Sequence, residues 1–181
     1  MPYLDAAYNL ARWLLRHEQS AEDAVQEASM RAFRYIDSLR DDDARPWLLA
    51  IVRNTCFSML ERQRKAPETV EFDYVEFEAA MGAAERGSQD PELQLQRHRT
   101  RVQVDAAIRA LSPPLREVIV LREFEDLEYA QIAMIVAVPV GTVMSRLSRG
   151  KTQLREALAR KEAGAQSKVV PFKSPSAREN S

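Results

Sequence analysis

The sequence predicts an all-α protein of two small helical domains joined by an acidic linker, and three observations support this prediction. Apolar residues recur at three- and four-residue intervals, the spacing of one helix face, through most of the chain. No stretch of useful length alternates apolar and polar residues as a half-buried strand does. Between residues 68 and 92, eight acidic side chains are opposed by one arginine among scattered glycine, serine and proline, which is typical of a solvated linker.

The first half of the chain predicts three helices. The first has an apolar face of Leu4, Ala7, Tyr8, Ala11 and Leu14. The second is predicted to open at Ser20, which resembles a capping box with Asp23, and to bury Val25, Ala28, Ala32 and Ile36. Its other face carries Asp23, Gln26, Glu27, Met30 and Arg34. The third begins near residues 43–46 and is predicted to bury Trp47, Leu48, Ile51 and Thr55.

The second half predicts four helices. Asp90 and Pro91 read as an N-cap and a first-turn proline, followed by an apolar stripe of Leu93, Val104, Ile108 and Leu111. A Ser-Pro-Pro run at 112–114 ends that helix and begins the next, with Leu115, Val118, Ile119 and Leu121 inside. Two more are predicted, at 129–136 and about 139–158. The predicted boundaries are a first domain at 1–66, a linker at 67–90, a second domain at 91–161 and a disordered tail at 162–181.

Composition excludes several classes of function. The 181 residues include 26 basic and 27 acidic side chains, but the basic ones collect at the ends of the two predicted domains. Five unclustered glycines cannot build a phosphate-binding loop, and two histidines with one cysteine cannot make a structural zinc site. Without a catalytic grouping, we expect no enzyme, no metal, no cofactor and no small-molecule substrate. The apolar runs are too short to span a bilayer, so we expect a cytoplasmic protein without membrane insertion.

The most informative segment predicts a helix-turn-helix. A short helix is followed, after about three residues, by a longer one that carries Thr142, Ser145, Arg146, Arg149 and Lys151. Arginine reads guanine or binds phosphate, serine and threonine contact either, and lysine neutralises phosphate, so this pattern favours DNA binding. The alternative interpretation is that these charged residues only form a solvent-exposed helix face and bind no DNA.

Both halves resemble one family. Residues 115–124 (LREVIVLREF) and 138–147 (VPVGTVMSRL) look like region 4 of bacterial extracytoplasmic-function (ECF) sigma factors. Residues 21–27 (AEDAVQE) and 47–54 (WLLAIVRN) are similar to region 2 of the same family. The resemblance implies a promoter-specificity subunit that binds core RNA polymerase and promoter DNA and is regulated by an anti-sigma protein.

The resemblance also implies roles for particular residues. Polymerase would be bound by Asp23, Gln26 and Glu27. The melted minus-ten element would be bound by Arg53, Asn54 and Arg62, although Asn54 could be an ordinary helix residue. The minus-thirty-five duplex would be bound by Arg122, Thr142, Ser145, Arg146, Arg149 and Lys151. It also implies one more helix ahead of the one near Leu4.

Three positions depart from the family pattern. Met144 replaces a basic residue, so a contact there could instead be with a thymine methyl group. Ala137 stands where glycine is common, and a left-handed backbone there would cost roughly 1 kcal/mol. Glu128 replaces a serine N-cap and predicts a poorer cap, so that Glu128→Ser would raise stability by about 0.5–1 kcal/mol.

Two other functions remain open. A stand-alone helix-turn-helix regulator would bind duplex DNA without polymerase, although neither half resembles a dimerisation or ligand domain. A sigma mimic would sequester an anti-sigma protein without touching DNA. Trp47 is predicted to be core rather than a base-stacking residue, and Cys56 a packed thiol rather than a redox sensor.

Overall fold

All regular secondary structure is helical within the residues that the computed structural model describes, which are 3–39, 44–65 and 91–166. The elements are α1 (Leu4–Leu15), α2 (Glu18–Arg34), a 3-10 turn (Ile36–Ser38), α3 (Ala44–Lys65), α4 (Pro91–Ala110), α5 (Pro113–Glu123), α6 (Tyr129–Val136) and α7 (Val140–Gln166). The all-α prediction is confirmed. The linker predicted at 67–90 and residues 167–181 of the predicted tail lie outside the described residues. Residues 162–166, predicted to begin the disordered tail, are instead helical and form the end of α7.

Helices α1, α2 and α3 form the first half around small side chains. Ala7, Ala11, Ala24 and Ala28 are fully buried, which allows the helix backbones to approach closely. Two sequence predictions for α2 are wrong. The helix begins at Glu18 after His17, not at Ser20. Ile36 is 47% exposed because α2 ends at Arg34, so the helical periodicity no longer places residue 36 on the core face.

The second half is built on α5, which is buried along most of its length. Val118 and Leu121 are fully buried, and α6 and α7 cover them with Ile132 and Val143. Helix α4 joins this core through its C-terminal end, where Ile108 and Leu111 are 3% exposed. Leu93, predicted to be buried, is 45% exposed. The prediction failed because only the C-terminal end of α4 packs on the other described helices. Residues 92–102, at the N-terminal end, are all exposed.

The two halves pack against each other, which the sequence did not predict. Helix α1 contacts α5, and α3 contacts α6. The guanidinium of Arg116, with the residue 1% exposed, donates a hydrogen bond of 3.1 Å to the carbonyl oxygen of Trp13. The same group donates to the carbonyl oxygens of Ile108, Arg109 and Leu111, so it is hydrogen-bonded without an acidic partner.

The described residues contain neither a membrane-spanning helix nor a cluster of metal ligands. No single helix there is long and apolar enough to cross a membrane, and α6 with α7 reaches that length and composition only across a bend of 98°. Over the same residues, no three potential ligands among histidine, cysteine, aspartate and glutamate converge.

Candidate nucleic-acid interface

Helices α6 and α7 form the predicted helix-turn-helix. Ala137 ends α6 with φ 52° and ψ 47°. This is the left-handed conformation for which the sequence predicted an energetic cost at an alanine. The N–H of Val138 donates to the carbonyl oxygen of Ala133 at 3.2 Å, and Thr142 N–H donates to that of Pro139 at 2.8 Å. The turn is therefore hydrogen-bonded on both sides, with a strained alanine in place of glycine.

The start of α6 corrects one prediction. The side chain of Gln131 accepts a hydrogen bond from the backbone N–H of Glu128 at 3.0 Å, and the Glu128 carboxylate completes the reciprocal half of a capping box. A carboxylate also interacts favourably with the positive end of the helix dipole. Glu128 is thus an effective cap, and the expected gain from Glu128→Ser has no basis in this geometry.

One face of α7 is exposed and polar. Val143 and Leu147 are buried, and a β-carbon on Gly150 would lie 3.0 Å from Ile119 Cγ1, so this side of the helix lies tightly against α5. The opposite side presents Ser145, Ser148 and Arg149, all exposed. Ser148 was not predicted as a contact residue, although it follows Ser145 by three residues and so lies on the same face of the helix.

Ser145 and Arg149 donate to the carbonyl oxygens of Thr142 and Ser145 within α7, at 2.9 and 3.3 Å. Three other residues predicted to contact the minus-thirty-five element have partners beyond α7. Arg146 Nη1 lies 3.1 Å from Oε1 of Glu117, with its side chain 21% exposed. Lys151 Nζ lies 2.8 Å from Glu123 on α5. Arg122 donates to the carbonyl oxygen of Leu127 at 2.8 Å. Met144 is 52% exposed beside the polar face.

The predicted minus-ten residues all lie on α3, and Nη1 of Arg53 donates to Oδ1 of Asn54 at 3.3 Å. Asn54 and Arg62 share an exposed stripe with Ser58, at intervals of four residues. Ser58 was not predicted to belong to this stripe. Its hydroxyl donates to the carbonyl oxygen of Asn54 at 2.8 Å, and Arg62 Nε donates to that of Ser58 at 3.3 Å.

Arg53 instead points into the contact between the halves. Its Nε lies 2.7 Å from Oε2 of Glu117, and its side chain is 18% exposed. Glu117 is 1% exposed and is shared by Arg53 and Arg146. Burial raises the pKa of Glu117, and the two guanidinium groups oppose that rise. Sequence spacing could not reveal Glu117, because its two partners lie 64 residues before it and 29 after it.

The three residues predicted to bind polymerase lie together on α2. Asp23 and Gln26 are exposed, and the half-buried Glu27 forms ion pairs with Arg31 and Arg62, the latter at 3.6 Å. Met30 is 58% and Phe33 64% exposed. We call Asp23, Gln26, Glu27, Met30 and Phe33 the α2 ridge. Phe33 was not predicted, although it continues the spacing of Gln26 and Met30.

The other two residues singled out by sequence are packed. Trp47 is half-buried against the core, as predicted. Cys56 is fully buried, and burial raises the pKa of its thiol to about 12. A thiol that stays protonated at neutral pH is a poor nucleophile, which favours the packed role over redox sensing.

Comparison with protein families gives two matches along the chain. Residues 1–66 match the Sigma-70 region 2 family, and residues 101–154 match the Sigma-70 region 4 family.

Comparison with curated proteins gives relatives of one kind. The ECF RNA polymerase sigma-E factor of Escherichia coli strain K12 is 38% identical over 131 residues, covering 71% of this chain and 69% of that protein. The ECF RNA polymerase sigma factor SigE of Mycolicibacterium smegmatis is 33% identical over 161 residues, covering 87% of this chain. The chain spans 59% of the length of that relative.

Two solved structures have a similar fold. The sigma factor RpoE of Bartonella quintana, in complex with the anti-sigma factor NepR, superposes with a TM-score of 0.65 at 28% identity. That match covers 86% of this chain and 91% of the other. CnrH, in complex with the cytosolic domain of CnrY, has a TM-score of 0.60 at 20% identity over 87% of this chain and 83% of the other, and shows a likeness of fold alone.

Proposed function

This chain belongs to the ECF family of RNA polymerase sigma factors, and from that premise we propose that it is a promoter-specificity subunit of RNA polymerase. In this role it binds core polymerase, recognises the minus-thirty-five and minus-ten elements and promotes DNA melting. Members of the family are transcription initiation factors. The observation that carries the proposal is the presence of two separate surfaces on one chain, the exposed face of α7 and the α2 ridge.

The α7 face reads the minus-thirty-five duplex. Helix α7 enters the major groove, where Ser145 and Ser148 hydroxyl groups can donate or accept and Arg149 can bind guanine or phosphate. Thr142 and Lys151 lie at the edges of this face and contact the DNA there. Lys151 leaves its ion pair with Glu123 and binds a phosphate of the DNA instead. Arg122 donates to the backbone just ahead of α6, so its contact with DNA would be to a nearby phosphate.

Arg146 has a second role besides any contact with DNA. Its guanidinium is paired with the buried Glu117 on α5, which fixes the rotation of α7 about its axis. Orientation of the recognition helix decides which side chains meet base edges, so Arg146 acts on specificity through the position of Arg149 as well as by charge.

The exposed stripe of α3 binds the opened minus-ten strand. Asn54 offers a donor and an acceptor together, which suits the edge of an unpaired base. Ser58 and Arg62 continue the stripe toward the basic end of α3, where a phosphate backbone would be neutralised. Arg53 adjoins this stripe, because its Nη1 donates to Oδ1 of Asn54 at 3.3 Å while its Nε and Nη2 hold Glu117.

The α2 ridge binds core polymerase. Its acidic and amide groups complement a basic partner surface. Met30 and Phe33 add exposed apolar area that a partner could cover. Each promoter element is held weakly alone, and polymerase presents both together, so the affinities combine.

Anti-sigma control completes the proposal. A structure neighbour was solved in complex with an anti-sigma factor, and we extend that mode of regulation to this chain. The test is to isolate a protein that forms a stable complex with the purified chain. That protein should abolish transcription directed by this chain and should not inhibit core polymerase supplied with another sigma factor.

Run-off transcription with core polymerase on genomic fragments tests the proposed function. The chain should confer specific start sites, and Arg149→Ala should lower transcript yield roughly 5- to 100-fold while binding to immobilised core polymerase is retained. Arg160→Ala is the matched control, because Arg160 is an exposed arginine about three turns farther along the same helix. Glu27→Lys, in contrast, should weaken binding to core polymerase and lower transcript yield with it.

Two outcomes would contradict the proposal. Tight binding to naked duplex DNA without binding to core polymerase would identify a stand-alone regulator. Transcription that survives the double change Arg146→Ala and Arg149→Ala would show that α7 is not the recognition helix.

A further inference from the structure

One exposed methionine on α7 has no part in the contacts with DNA proposed above. Met144 is 52% exposed and directly precedes Ser145. The helix packs on α5 through the buried Val143 and Leu147, so this packing does not need an apolar side chain at residue 144. A single exposed methionine is ordinary on most surfaces, but this one borders the face that enters the major groove in our proposal.

Met144 lies on an edge of that face that is uncharged over residues 140–148. An α-helix turns by about 100° per residue, so Met144 shares its edge with Gly141 and Ser148, both exposed, whereas Arg149 lies about 140° away around the axis. A β-carbon on Gly141 would meet no atom within 4 Å, so none of the described residues fills the space beside it. The next charged side chain along this edge, Lys151, is about two turns farther on.

The major groove offers one kind of partner to such a side chain. Each base pair presents hydrogen-bond donors and acceptors there, and among the four bases only thymine adds an apolar group, its C5 methyl. A thioether has no proton to donate and is a weak acceptor, so Met144 gains little from the polar edges of guanine, cytosine or adenine. Its flexible, polarisable side chain is well suited to pack against a methyl group.

We infer that Met144 selects thymine at one position of the minus-thirty-five element by packing its thioether against the C5 methyl group. This inference deepens the proposed function and rests on α7 being the recognition helix. Because Arg149 lies on the other edge of the face, it contacts the DNA at a different position. Burial of one methyl group is worth about 3- to 5-fold in affinity, which sets the size of the preference.

Uracil substitution in the promoter isolates the methyl group. Uracil pairs as thymine does but carries only hydrogen at C5. The full chain bound to core polymerase is titrated against a fluorescent promoter duplex that run-off transcription has identified, with each thymine of the minus-thirty-five element, on either strand, replaced in turn by uracil. At one position the replacement should weaken binding about 3- to 5-fold with the wild-type chain and less than about 1.5-fold with Met144→Ala.

Two further variants show whether the effect belongs to this side chain. Met144→Leu keeps an apolar side chain of similar volume and should retain most of the loss caused by uracil. Met134→Ala is the matched control, because Met134 is 66% exposed on α6 and lies outside the α7 face. It should leave the loss caused by uracil unchanged. Both methionines are exposed, so the alanine variants should unfold within about 1 °C of the wild-type chain.

Four results would overturn the inference. The first is a minus-thirty-five element without thymine on either strand, and the second is equal binding of thymine and uracil duplexes at every position. The third is a loss with uracil that Met144→Ala retains in full, and the fourth is a loss that Met134→Ala removes as well. The proposed function fails by a different result, namely a wild-type chain that does not bind core polymerase or confers no specific start sites.

Discussion

Ala137→Gly changes the strained residue in the turn of the helix-turn-helix. Ala137 adopts φ 52° and ψ 47°, a conformation that costs an L-residue about 1–2 kcal/mol through the crowding of its β-carbon. Glycine avoids this cost but loses about 0.5–1 kcal/mol more backbone entropy on folding. The difference predicts that the variant is more stable by about 0.5–1 kcal/mol.

Thermal unfolding followed by circular dichroism measures this gain. For a chain of this length, 1 kcal/mol shifts Tm by about 2–4 °C, so an increase of about 1–4 °C is expected. Ala130→Gly is the matched control, because Ala130 is an exposed alanine with helical backbone in the same α6, and glycine there should lower Tm. If Ala137→Gly melts at or below the wild-type temperature while Ala130→Gly melts lower as expected, the strain at residue 137 is not relieved by glycine and the reasoning is refuted.

Further predictions follow from burial and capping. Arg116→Lys should lower the free energy of unfolding by about 2–4 kcal/mol in chemical denaturation, because an ammonium cannot reach the four carbonyl oxygens that the guanidinium satisfies; a loss below 1 kcal/mol would contradict this. Glu128→Ala should cost about 1 kcal/mol and Glu128→Ser less than 0.5 kcal/mol, and a clear gain with serine would show that the capping box is weak. Cys56, with its pKa raised to about 12, should react with a disulfide reagent at pH 8 at least 100-fold more slowly in the folded than in the urea-unfolded protein, and equal rates would exclude its burial. Arg146→Ala should lower stability by about 2–4 kcal/mol as well as transcription, since it removes one partner of the buried Glu117, and a loss of transcription at unchanged stability would assign Arg146 to DNA alone.

Local signals in the sequence were sufficient for the helices and for most of the candidate surfaces. The spacing of apolar residues predicted α1, α5 and α6, because a helix face repeats every three to four residues wherever the helix packs. The same spacing placed Asp23 and Gln26 on an exposed face and Ser145 and Arg149 on another. The spacing predicted burial wrongly near the ends of helices. Ile36 and Leu93 continue an apolar pattern but lie beyond the part of the helix that packs on a neighbour, so both are exposed.

The sequence by itself determined the all-helical class, the helix-turn-helix and the membership of the ECF family that its motifs indicated. Only the tertiary structure decided which charged residues are buried. In the sequence, three buried charges look like ordinary helix or loop charges. Glu117 pairs with Arg53, 64 residues away, and Glu125 pairs with Arg45, 80 residues away. Arg116 donates to the carbonyl oxygen of Trp13, 103 residues away. Periodicity reports the face on which a side chain lies, but the energy of a buried charge depends on what the distant chain places opposite it. The contact between the halves, with Arg53 paired to Glu117, could therefore be found only once the helices were packed.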